Sequence, residues 1–484
     1  MIKSRQANAQ ARSWTNHPQP KRNFFSPLTA AGRRRWFLLI ISLLILGGVA
    51  RAAQLWVDSL YHGERKPYLQ RPSADAISIF WQSAEAEAGQ IRYRELGPQG
   101  RHQPQDERRL NYPLAQRHRV RIDGLRPATE YEYSIWHRGQ LRHGPFRFWT
   151  WPDTQLRDEI DSVRLWVLGD PGYNSQLAQQ VRISAHEWFL QNPRDTGGAF
   201  DFWLTTGDNA YRSGRNREFQ AALFEPYADW LSRYVLFPAY GNHDARRWAF
   251  FDIFDFPTQG ESGGVASGDE HFYSLDFGPL HVVMLDSQDS DMSTGSPMRR
   301  WLEADLAANQ SPWTMAVLHH PPYSRGSHDS DDGRGSDWRM LAVREDLVPA
   351  LENLGVDVIL AGHSHAYERS HLIRGHYGMS DEFNAEHLRD SGLLYDDIHL
   401  YQQAQDCAPE CASLYVVLGN AAELHAGTMD HPALDIALVR GGSLILEVTN
   451  DCFGGGMLAV EGEWADRFLV SKGKVRCEGL SIQQ

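Results

Sequence analysis

The sequence predicts an α/β domain made of a two-sheet β-sandwich flanked by helices, preceded by a small all-β sandwich domain and an N-terminal apolar segment. Three observations predict this order. A basic stretch runs into an apolar one near the N-terminus, strand-like alternation without helix signals extends to about residue 150, and short β-branched runs then alternate with amphipathic stretches. At 484 residues the chain is long enough for two or three domains.

The N-terminal segment has the features of an export signal. Residues 1–35 carry eight lysine or arginine side chains and no acid, and the uninterrupted apolar run at 36–50 follows. Residues 34–38 (RRWFL) resemble a twin-arginine signal, and 50–52 (ARA) offer a small-x-small cleavage site. If it is not cleaved, the segment 36–52 is instead a membrane anchor with its basic side inside. We therefore expect an exported protein, periplasmic or extracellular, that contacts a membrane only through this segment.

The remainder of the chain is acidic. Beyond residue 51 it carries 61 aspartate and glutamate residues against 39 lysine and arginine residues. This charge repels a phosphate backbone, so nucleic acid is not an expected partner. The expected partner is a small phosphoester.

All four cysteines lie in the last quarter of the chain, at Cys407, Cys411, Cys452 and Cys477. In an exported protein this number predicts two disulfides, and the pairing is left open. A zinc site made of cysteines alone is the weaker alternative, because only the first two have a ligand-like spacing.

Residues 66–152 predict the all-β domain. Short strands are expected at 77–81, 91–95 and 117–122, and the turn at 124–133 leads into an alternating strand with a tyrosine at its corner. This segment resembles a fibronectin-III-like domain.

Residues 160–484 predict the α/β domain. Its candidate strands are 164–168, 202–206, 235–239, 280–285, 314–318 and 356–360. Almost every one of them ends in a cluster of Gly, Asp or His residues. Because ligand sites of open α/β sheets lie at the carboxyl ends of strands, these clusters are expected to meet.

Five clusters contain residues suited to binding metal ions. They are Asp170-Pro171-Gly172, Gly207 to Tyr211, Gly241 to Asp244, Val317 to His320 and Gly362 to His365. Each alone is an ordinary turn, but carboxylates and imidazoles are the ligands that hard or borderline cations prefer. A pair of metal ions about 3.5–4 Å apart needs a bridging carboxylate, and Asp208 is the natural one.

The ordered set DxG, GDxxY, GNHD, VxxH and GHxH resembles the calcineurin-like metallophosphoesterases and, within them, the purple acid phosphatases. The runs 362–369 and 272–287 share this resemblance, which covers both domains but not residues 1–55. It implies a first metal ion bound by Asp170, Tyr211 and His365, a second bound by Asn242, His320 and His363, and Asp208 shared between them.

The resemblance also implies the metals and the reaction. Tyr211 as a phenolate ligand calls for a strong Lewis acid, which is ferric iron in this family, and the second ion is zinc, manganese or ferrous iron. The expected enzyme is an acid phosphatase that hydrolyses phosphomonoesters with a metal-bound hydroxide. A phosphodiesterase of the same superfamily is the alternative.

Four further residues are assigned roles beside the metals. His243 is expected to bind the phosphate or to protonate the leaving group, with Asp244 orienting it. His319 and Tyr367 are candidate substrate contacts, and each could equally be a packing residue.

Two other classes of protein remain as alternatives. A serine hydrolase would use Ser364 as the nucleophile, although two histidines flank it where small residues are usual. A non-catalytic binding protein would show gaps among the metal ligands, and the sequence has none.

Overall fold

The structure is a computed structural model that describes residues 30–97, 107–153, 156–194, 198–335, 337–404, 407, 410–473, 477 and 479–483. The chain divides into two compact units, residues 1–54 and 55–484. Residues 1–29, which form most of the basic segment predicted at 1–35, lie outside the described residues.

The predicted N-terminal apolar segment is part of one helix. Helix α1 spans Ala30–Ser59. Its stretch Phe37–Gln54 is long and apolar enough, by length and composition, to cross a membrane. The large apolar side chains described along this stretch, such as Phe37 and Leu44, are exposed.

Five strands form the all-β domain: β1 Arg65–Ser73, β2 Ala76–Glu95, β3 Arg108–Asp123, β4 Glu130–His137 and β5 Gln140–Trp149. The first half of β2 pairs with β1 and with the second half of β3. Its second half pairs with the first half of β3 and with β4, which pairs with β5. This pairing is that of a fibronectin-III-like sandwich whose two long strands take part in both layers. The predicted short strands are thus segments of longer ones.

The predicted tyrosine corner is present. The hydroxyl of Tyr131 accepts a hydrogen bond of 2.9 Å from the backbone N–H of Arg126. Strand β2 is buried on both faces from Ala76 to Ser83, and beyond this stretch Ile91 is fully buried. The alternation at 77–81 in the sequence therefore does not separate a core face from a solvent face in this half of the strand.

The all-β domain is joined to the following domain by specific hydrogen bonds. The hydroxyl of Tyr68 donates to the carbonyl of Ile253 at 2.9 Å. Trp151, at the domain boundary, donates its indole N–H to the carbonyl of Ser262 at 2.9 Å. Because these partners are buried, the contact is a fixed interface rather than a loose tether.

Sixteen further strands follow: β6 Ser162–Leu168, β7 Phe202–Thr205, β8 Leu236–Pro238, β9 Tyr273–Phe277, β10 Leu280–Met284, β11 Trp313–Val317, β12 Val358–Ala361, β13 Tyr367–Ile373, β14 Leu388–Asp390, β15 Leu393–Tyr395, β16 Ile398–Gln403, β17 Ser413–Leu418, β18 Leu434–Leu438, β19 Gly442–Thr449, β20 Cys452–Ala459 and β21 Trp464–Lys472. They form two eight-stranded sheets among the described residues. The first sheet has the order β15-β16-β21-β20-β19-β6-β7-β8. The second has the order β14-β13-β17-β12-β11-β10-β9, with β18 also paired to β13.

Helices cover these sheets. They are α2 Gln176–Gln191, α3 Asn216–Phe219, α4 Ala228–Leu231, α5 Ala249–Ile253, α6 Pro297–Ala308, α7 Trp338–Ala342 and α8 Val348–Asn353, with π-helical turns at Gln220–Phe224 and Val343–Leu347 and 3₁₀ turns at Arg157–Glu159, Asp244–Arg246, Ser380–Glu382 and Ser481–Gln483. Helices α2 and α6 begin at serine caps. The hydroxyl of Ser296 accepts the N–H of Arg299, and Pro297 occupies the first helical position, where no N–H is needed.

One large core lies between the two sheets, and a second lies between the second sheet and its helices. In the first, Phe202 of β7 packs against Phe277 of β9, whereas Trp166 of β6 lies on the other face of its sheet against Phe189 of α2 and Trp230 of α4. The second contains Leu302 of α6 and Leu351 of α8. The predicted α/β fold of two packed sheets flanked by helices is confirmed.

Parallel pairing aligns the strand ends that carry the sequence clusters. In the first sheet β6, β7 and β8 are parallel, and in the second β10, β11, β12 and β17 are parallel. Their carboxyl ends therefore meet at one edge of each sheet. The six strands predicted from sequence are all present, with ends shifted by one or two residues.

The four cysteines form two disulfides, Cys407–Cys411 and Cys452–Cys477. The prediction of two disulfides is confirmed, and the structure supplies the pairing that the sequence left open. The alternative of a cysteine zinc site is excluded, because no free thiol remains among these residues.

Candidate metal centre

Unusual backbone conformations bring the predicted ligands together. Asp170, Asp208 and His363 have positive φ angles of 52°, 50° and 66°. Residues other than glycine rarely adopt this left-handed backbone conformation, which costs about 1–3 kcal/mol at each position. Such local strain is typical of functional sites, where the surrounding structure holds it in place.

Two glycines let the loops approach each other. A Cβ atom on Gly241 would lie 2.2 Å from the backbone nitrogen of Asp208, and one on Gly362 would lie 2.2 Å from Oδ1 of Asp170. Both positions therefore require glycine. The predicted carboxylate ligands are packed directly against these turns.

The three residues predicted to bind the first metal ion are in contact. The hydroxyl of Tyr211 donates to Oδ2 of Asp170 at 3.1 Å and lies 2.9 Å from Nε2 of His365. The same nitrogen of His365 is 3.4 Å from Oδ2 of Asp170. Tyr211 and Asp170 are buried, and His365 is nearly so. These atoms outline one pocket for a cation.

The second group of contacts forms around Asn242. Its Oδ1 lies 3.1 Å from Nδ1 of His363 and 2.9 Å from Nε2 of His319. This nitrogen of His319 is also 3.5 Å from Oδ1 of Asp208. Ligand atoms of Asp170, Asp208 and His319 all lie within 4.8 Å of one another. Asp208 is thus placed between the two groups.

The structure places the two adjacent histidines differently from the prediction. His319, predicted as a substrate contact, is fully buried, and its Nδ1 lies 2.8 Å from the carbonyl of Thr206. Both of its nitrogens thus have partners, and the structure places His319 beside Asn242 and Asp208. His320, predicted as a ligand, has its Nδ1 2.9 Å from Oγ of Ser287. A ligand atom of His320 still lies within 4.8 Å of those of His319 and His363.

Protonation states at the centre fit a bound cation. Burial lowers the pKa of His363 to about 4, with His328 adding to the effect and Asp337 opposing it, so this imidazole offers a lone pair at neutral pH. Burial, followed by the charges of Asp170 and Asp208, raises the pKa of Tyr211 well above its usual value. A phenol in this position loses its proton only to a strong neighbouring positive charge.

One buried nitrogen of the cluster is also consistent with a metal. Nε2 of His320 has no hydrogen-bond partner among the described residues. Buried polar atoms are nearly always paired, so an unpaired nitrogen beside two other imidazoles is suited to a cation. The donor set of carboxylate, amide, phenol and imidazole groups fits two metal ions.

His243 lies at the mouth of the centre. Its Nε2 is 4.0 Å from Oδ2 of Asp208, and its backbone N–H donates to Oδ1 of the same residue at 2.8 Å. Its Nδ1 lies 2.9 Å from the carbonyl of Arg212. The ring therefore presents Nε2 towards the site, and the carbonyl of Arg212 fixes its orientation.

Asp244 does not have the predicted role. Its fully buried carboxylate accepts hydrogen bonds from the backbone N–H and the side-chain amide of Asn209 and from the N–H of Gly241. It thus ties together the two loops that carry Asp208 and Asn242. The prediction that Asp244 orients His243 is corrected, since the carbonyl of Arg212 orients this ring.

Tyr367 is also corrected. It lies on β13, is fully buried, and donates a hydrogen bond of 2.7 Å to Oδ2 of Asp466. Arg369 donates to the same carboxylate at 2.6 Å. Tyr367 is therefore part of a buried structural network and not a substrate contact.

The serine alternative is not supported by the position of Ser364. Its side chain is fully buried, and its Oγ has no hydrogen-bond partner among the described residues. A nucleophilic serine needs an adjacent base and an accessible oxygen. Ser364 has neither.

Two residues at the site were missed from the sequence. The ring of His328 stacks on that of His363, with 3.9 Å between centroids. Oδ1 of Asp337 lies 2.8 Å from Nδ1 of His328 and 3.4 Å from Nε2 of His363. Asp337, which is not one of the predicted metal ligands, therefore orients the predicted ligand His363. The only signal in the sequence was their location in the Ser, Gly and Asp-rich loop.

A comparison of sequences identifies relatives of the chain. Residues 163–367 match the family model described as calcineurin-like phosphoesterase. Purple acid phosphatase 22 of Arabidopsis thaliana is 29% identical over 271 residues, which are 53% of this chain and 54% of that protein. Purple acid phosphatase 23 of the same plant is 32% identical over 291 residues, 54% of this chain and 60% of that protein. The match thus spans little more than half the length of these relatives.

A comparison of structures supports the same fold. Purple acid phosphatase PPD1 from yellow lupin (Lupinus luteus) seeds superposes with a TM-score of 0.63 at 16% identity, covering 84% of this chain and 74% of that one. PhoD superposes with a TM-score of 0.56 at 12% identity, covering 84% and 88%. At these identities the likeness concerns the fold alone. Together with the family match and the site geometry, it confirms the resemblance found in the motifs. Residues 163–367 thus match the calcineurin-like phosphoesterase family, and purple acid phosphatases are among the proteins to which the chain is similar.

Proposed function

We propose that the protein is an exported acid phosphatase that hydrolyses phosphomonoesters at a centre of two metal ions. The observation that carries this proposal is the convergence of side chains from both sheets around Asp208. The relatives named purple acid phosphatase support the same reaction class.

The proposed ligands follow the contacts. Asp170, Tyr211 and His365 would hold ferric iron, since a phenolate favours a trivalent ion. For the second ion, of zinc, manganese or ferrous iron, we propose Asn242, His363 and His319, with Asp208 shared and His320 beside them. His319 takes the place predicted for His320 because its Nε2 lies against both the shared carboxylate and the Asn242 amide.

Two ions held by these residues would supply positive charge to a bound phosphoryl group and lower the pKa of a water molecule. His243 supplies the proton for the leaving oxygen. Its Nδ1 hydrogen is held by the carbonyl of Arg212, so a second proton enters and leaves at Nε2, which faces the site. Burial lowers the pKa of His243. Protonation therefore requires acidic solution, and we expect activity to rise from neutral towards acidic pH.

Metal analysis combined with a visible spectrum tests the proposal. The purified protein is expected to contain two metal ions for each chain and to hydrolyse a chromogenic phosphomonoester faster than the corresponding diester. Tyrosinate bound to ferric iron absorbs visible light, so Tyr211→Phe should lose the colour. A colourless, metal-free protein that refolds with added iron and zinc and still hydrolyses neither ester would refute the proposal.

The choice between the two adjacent histidines has its own test. His319→Ala is expected to lose the second metal ion, whereas His320→Ala is expected to retain more of it. Metal content measured after gel filtration decides between them. If His320→Ala alone loses the ion, the assignment made from the sequence is right and ours is wrong.

Export is proposed from the N-terminal helix and the disulfides. An apolar helix after a basic segment and two disulfides are both typical of proteins outside the reducing cytoplasm. N-terminal sequencing of the mature protein separates a cleaved signal from an anchor. A new N-terminus near residue 52 indicates cleavage, and an intact one in the membrane fraction indicates an anchor.

A further inference from the structure

We propose that Arg246 makes the site selective for phosphoesters whose leaving group carries a second anionic group, such as a second phosphate. This inference rests on the proposed function, since it names the class of substrate that the same site prefers. It is argued from the position of Arg246, its freedom from ion pairs and its contact with the proton donor.

Arg246 is held at the mouth of the metal centre by two contacts. One guanidinium nitrogen lies 3.2 Å from Nε2 of His243, and another donates to the carbonyl of Arg212 at 2.9 Å. The side chain is exposed at the end of the 3₁₀ turn Asp244–Arg246. Since His243 Nε2 is itself 4.0 Å from Asp208, a single imidazole separates the guanidinium from the metal centre.

The direction of these hydrogen bonds fixes what Arg246 does at rest. A guanidinium only donates, so Nε2 of His243 accepts from it and Nδ1 carries the ring hydrogen. These contacts hold the guanidinium at the mouth of the site. Because a guanidinium has five N–H groups, those beyond these two contacts can bind an anion.

The charge of Arg246 is available to a substrate. Within the described part of the chain it forms no ion pair with a carboxylate, and the same holds for Arg212, whose Nε donates to the hydroxyl of Tyr173 at 3.0 Å. Arg212 lies in the field of Glu423, so Arg246 is the guanidinium at this rim that stands out in a protein with 61 acidic and 48 basic residues. Guanidinium groups bind phosphate through paired, charge-assisted hydrogen bonds.

Selectivity follows from the order of groups across the site. A substrate whose scissile phosphate lies over Asp208 would place its leaving oxygen near His243 and its leaving group towards Arg246. An anion in the leaving group then pairs with the guanidinium, whereas a neutral leaving group does not. The gain therefore belongs to the doubly charged substrate.

The test compares two substrates in four proteins. Wild type, Arg246→Gln, Arg246→Lys and the control Arg217→Gln, an exposed arginine on α3, are assayed with p-nitrophenyl phosphate and with inorganic pyrophosphate. For Arg246→Gln we expect kcat/KM to fall about 10- to 100-fold with pyrophosphate, as for the loss of a charged hydrogen bond. With p-nitrophenyl phosphate we expect a much smaller fall, so the ratio of the two kcat/KM values tests the inference, and Arg246→Lys should give an intermediate ratio.

A binding measurement separates this inference from the proposed function. Calorimetry on the metal-loaded protein compares methylenediphosphonate with methylphosphonate, neither of which is hydrolysed. Arg246→Gln is expected to weaken only the diphosphonate. Parallel losses for both ligands or both substrates, or no loss at all, would overturn the inference. If the wild-type protein binds both ligands but cleaves neither p-nitrophenyl phosphate nor pyrophosphate, the proposed function fails while the binding ratio still decides the role of Arg246.

Discussion

Replacing Asp244 tests whether its carboxylate serves to hold two metal-binding loops together. In Asp244→Ala three buried donors lose their acceptor, namely the N–H and side-chain amide of Asn209 and the N–H of Gly241. Each unsatisfied donor costs about 1–3 kcal/mol. Removing a buried carboxylate also relieves its desolvation, so we expect a net loss of about 3–5 kcal/mol in the free energy of unfolding.

The same change should weaken metal binding. Asn209 follows Asp208 and Gly241 precedes Asn242, so the loops released by the mutation each carry a predicted ligand. Asp244→Asn is the milder variant. The amide oxygen of the new asparagine can still accept a hydrogen bond from the loop of Asn209 or from that of Gly241. Its NH2 group then faces an N–H group of the other loop. We therefore expect both variants to lose metal affinity, with the alanine variant losing more.

Urea unfolding of the metal-free proteins and metal titration followed by absorbance measure the two effects. The orienting role predicted from sequence gives a different outcome: normal metal content with a shifted pH profile, because only His243 would be affected. Normal stability and metal affinity in both variants would refute the reasoning from the loops. Arg217→Gln serves as the surface control.

Three further predictions concern stability or metal retention. Burial alone would lower the pKa of His281, but its contacts with the partly exposed Asp276 and the buried Asp305 outweigh this effect and raise the pKa to about 9. Its stabilisation is therefore complete below the unfolded value of about 6.5 and is lost as pH rises through 9. Urea unfolding should show a loss of about 3 kcal/mol between pH 7 and 10 that is absent in His281→Gln. Cys452→Ser with Cys477→Ser opens a disulfide with a sequence separation of 25 and should cost about 3 kcal/mol in urea unfolding, and an unchanged midpoint would contradict this. Gly241→Ala should lose metal and activity through its clash with the shared carboxylate, whereas Gly295→Ala, with open space around it, should lose only about 1 kcal/mol and keep the metal.

The sequence predicted the fold and the ligand-bearing loops well because both depend on local patterns. Strand β6 and the Asp170 cluster after it were evident from a β-branched run followed by a turn. The same holds for β12 and the GHxH cluster. Parallel pairing then brings such clusters together without further information. The pairing of cysteines and the merging of short strands into β2 depend on contacts distant in sequence, so they were not predictable.

The roles of individual side chains were less predictable than the ligand set. His319 and His320 are adjacent and of one type, and only the direction of each side chain at the end of β11 separates them. Asp244 follows His243 in sequence, yet its side chain points towards Asn209. Tyr367 lies two residues after His365, but it is the first residue of β13 and its side chain lies in the core, where it donates to Asp466. Sequence neighbours thus differ in role because successive side chains leave the backbone in different directions.

The proposed metal centre lies where the two sheets adjoin. Asp170, Asp208 and Asn242 follow strands of the first sheet, whereas the imidazoles follow strands of the second. Its affinity for metal therefore reports how well the two layers are aligned. A substitution deep in the shared core that slides one layer past the other by a few tenths of an ångström would change metal retention without altering any ligand. The rate at which a chelator removes the metal would therefore report how well the core is packed. The metal-loaded protein should also unfold in a single cooperative transition.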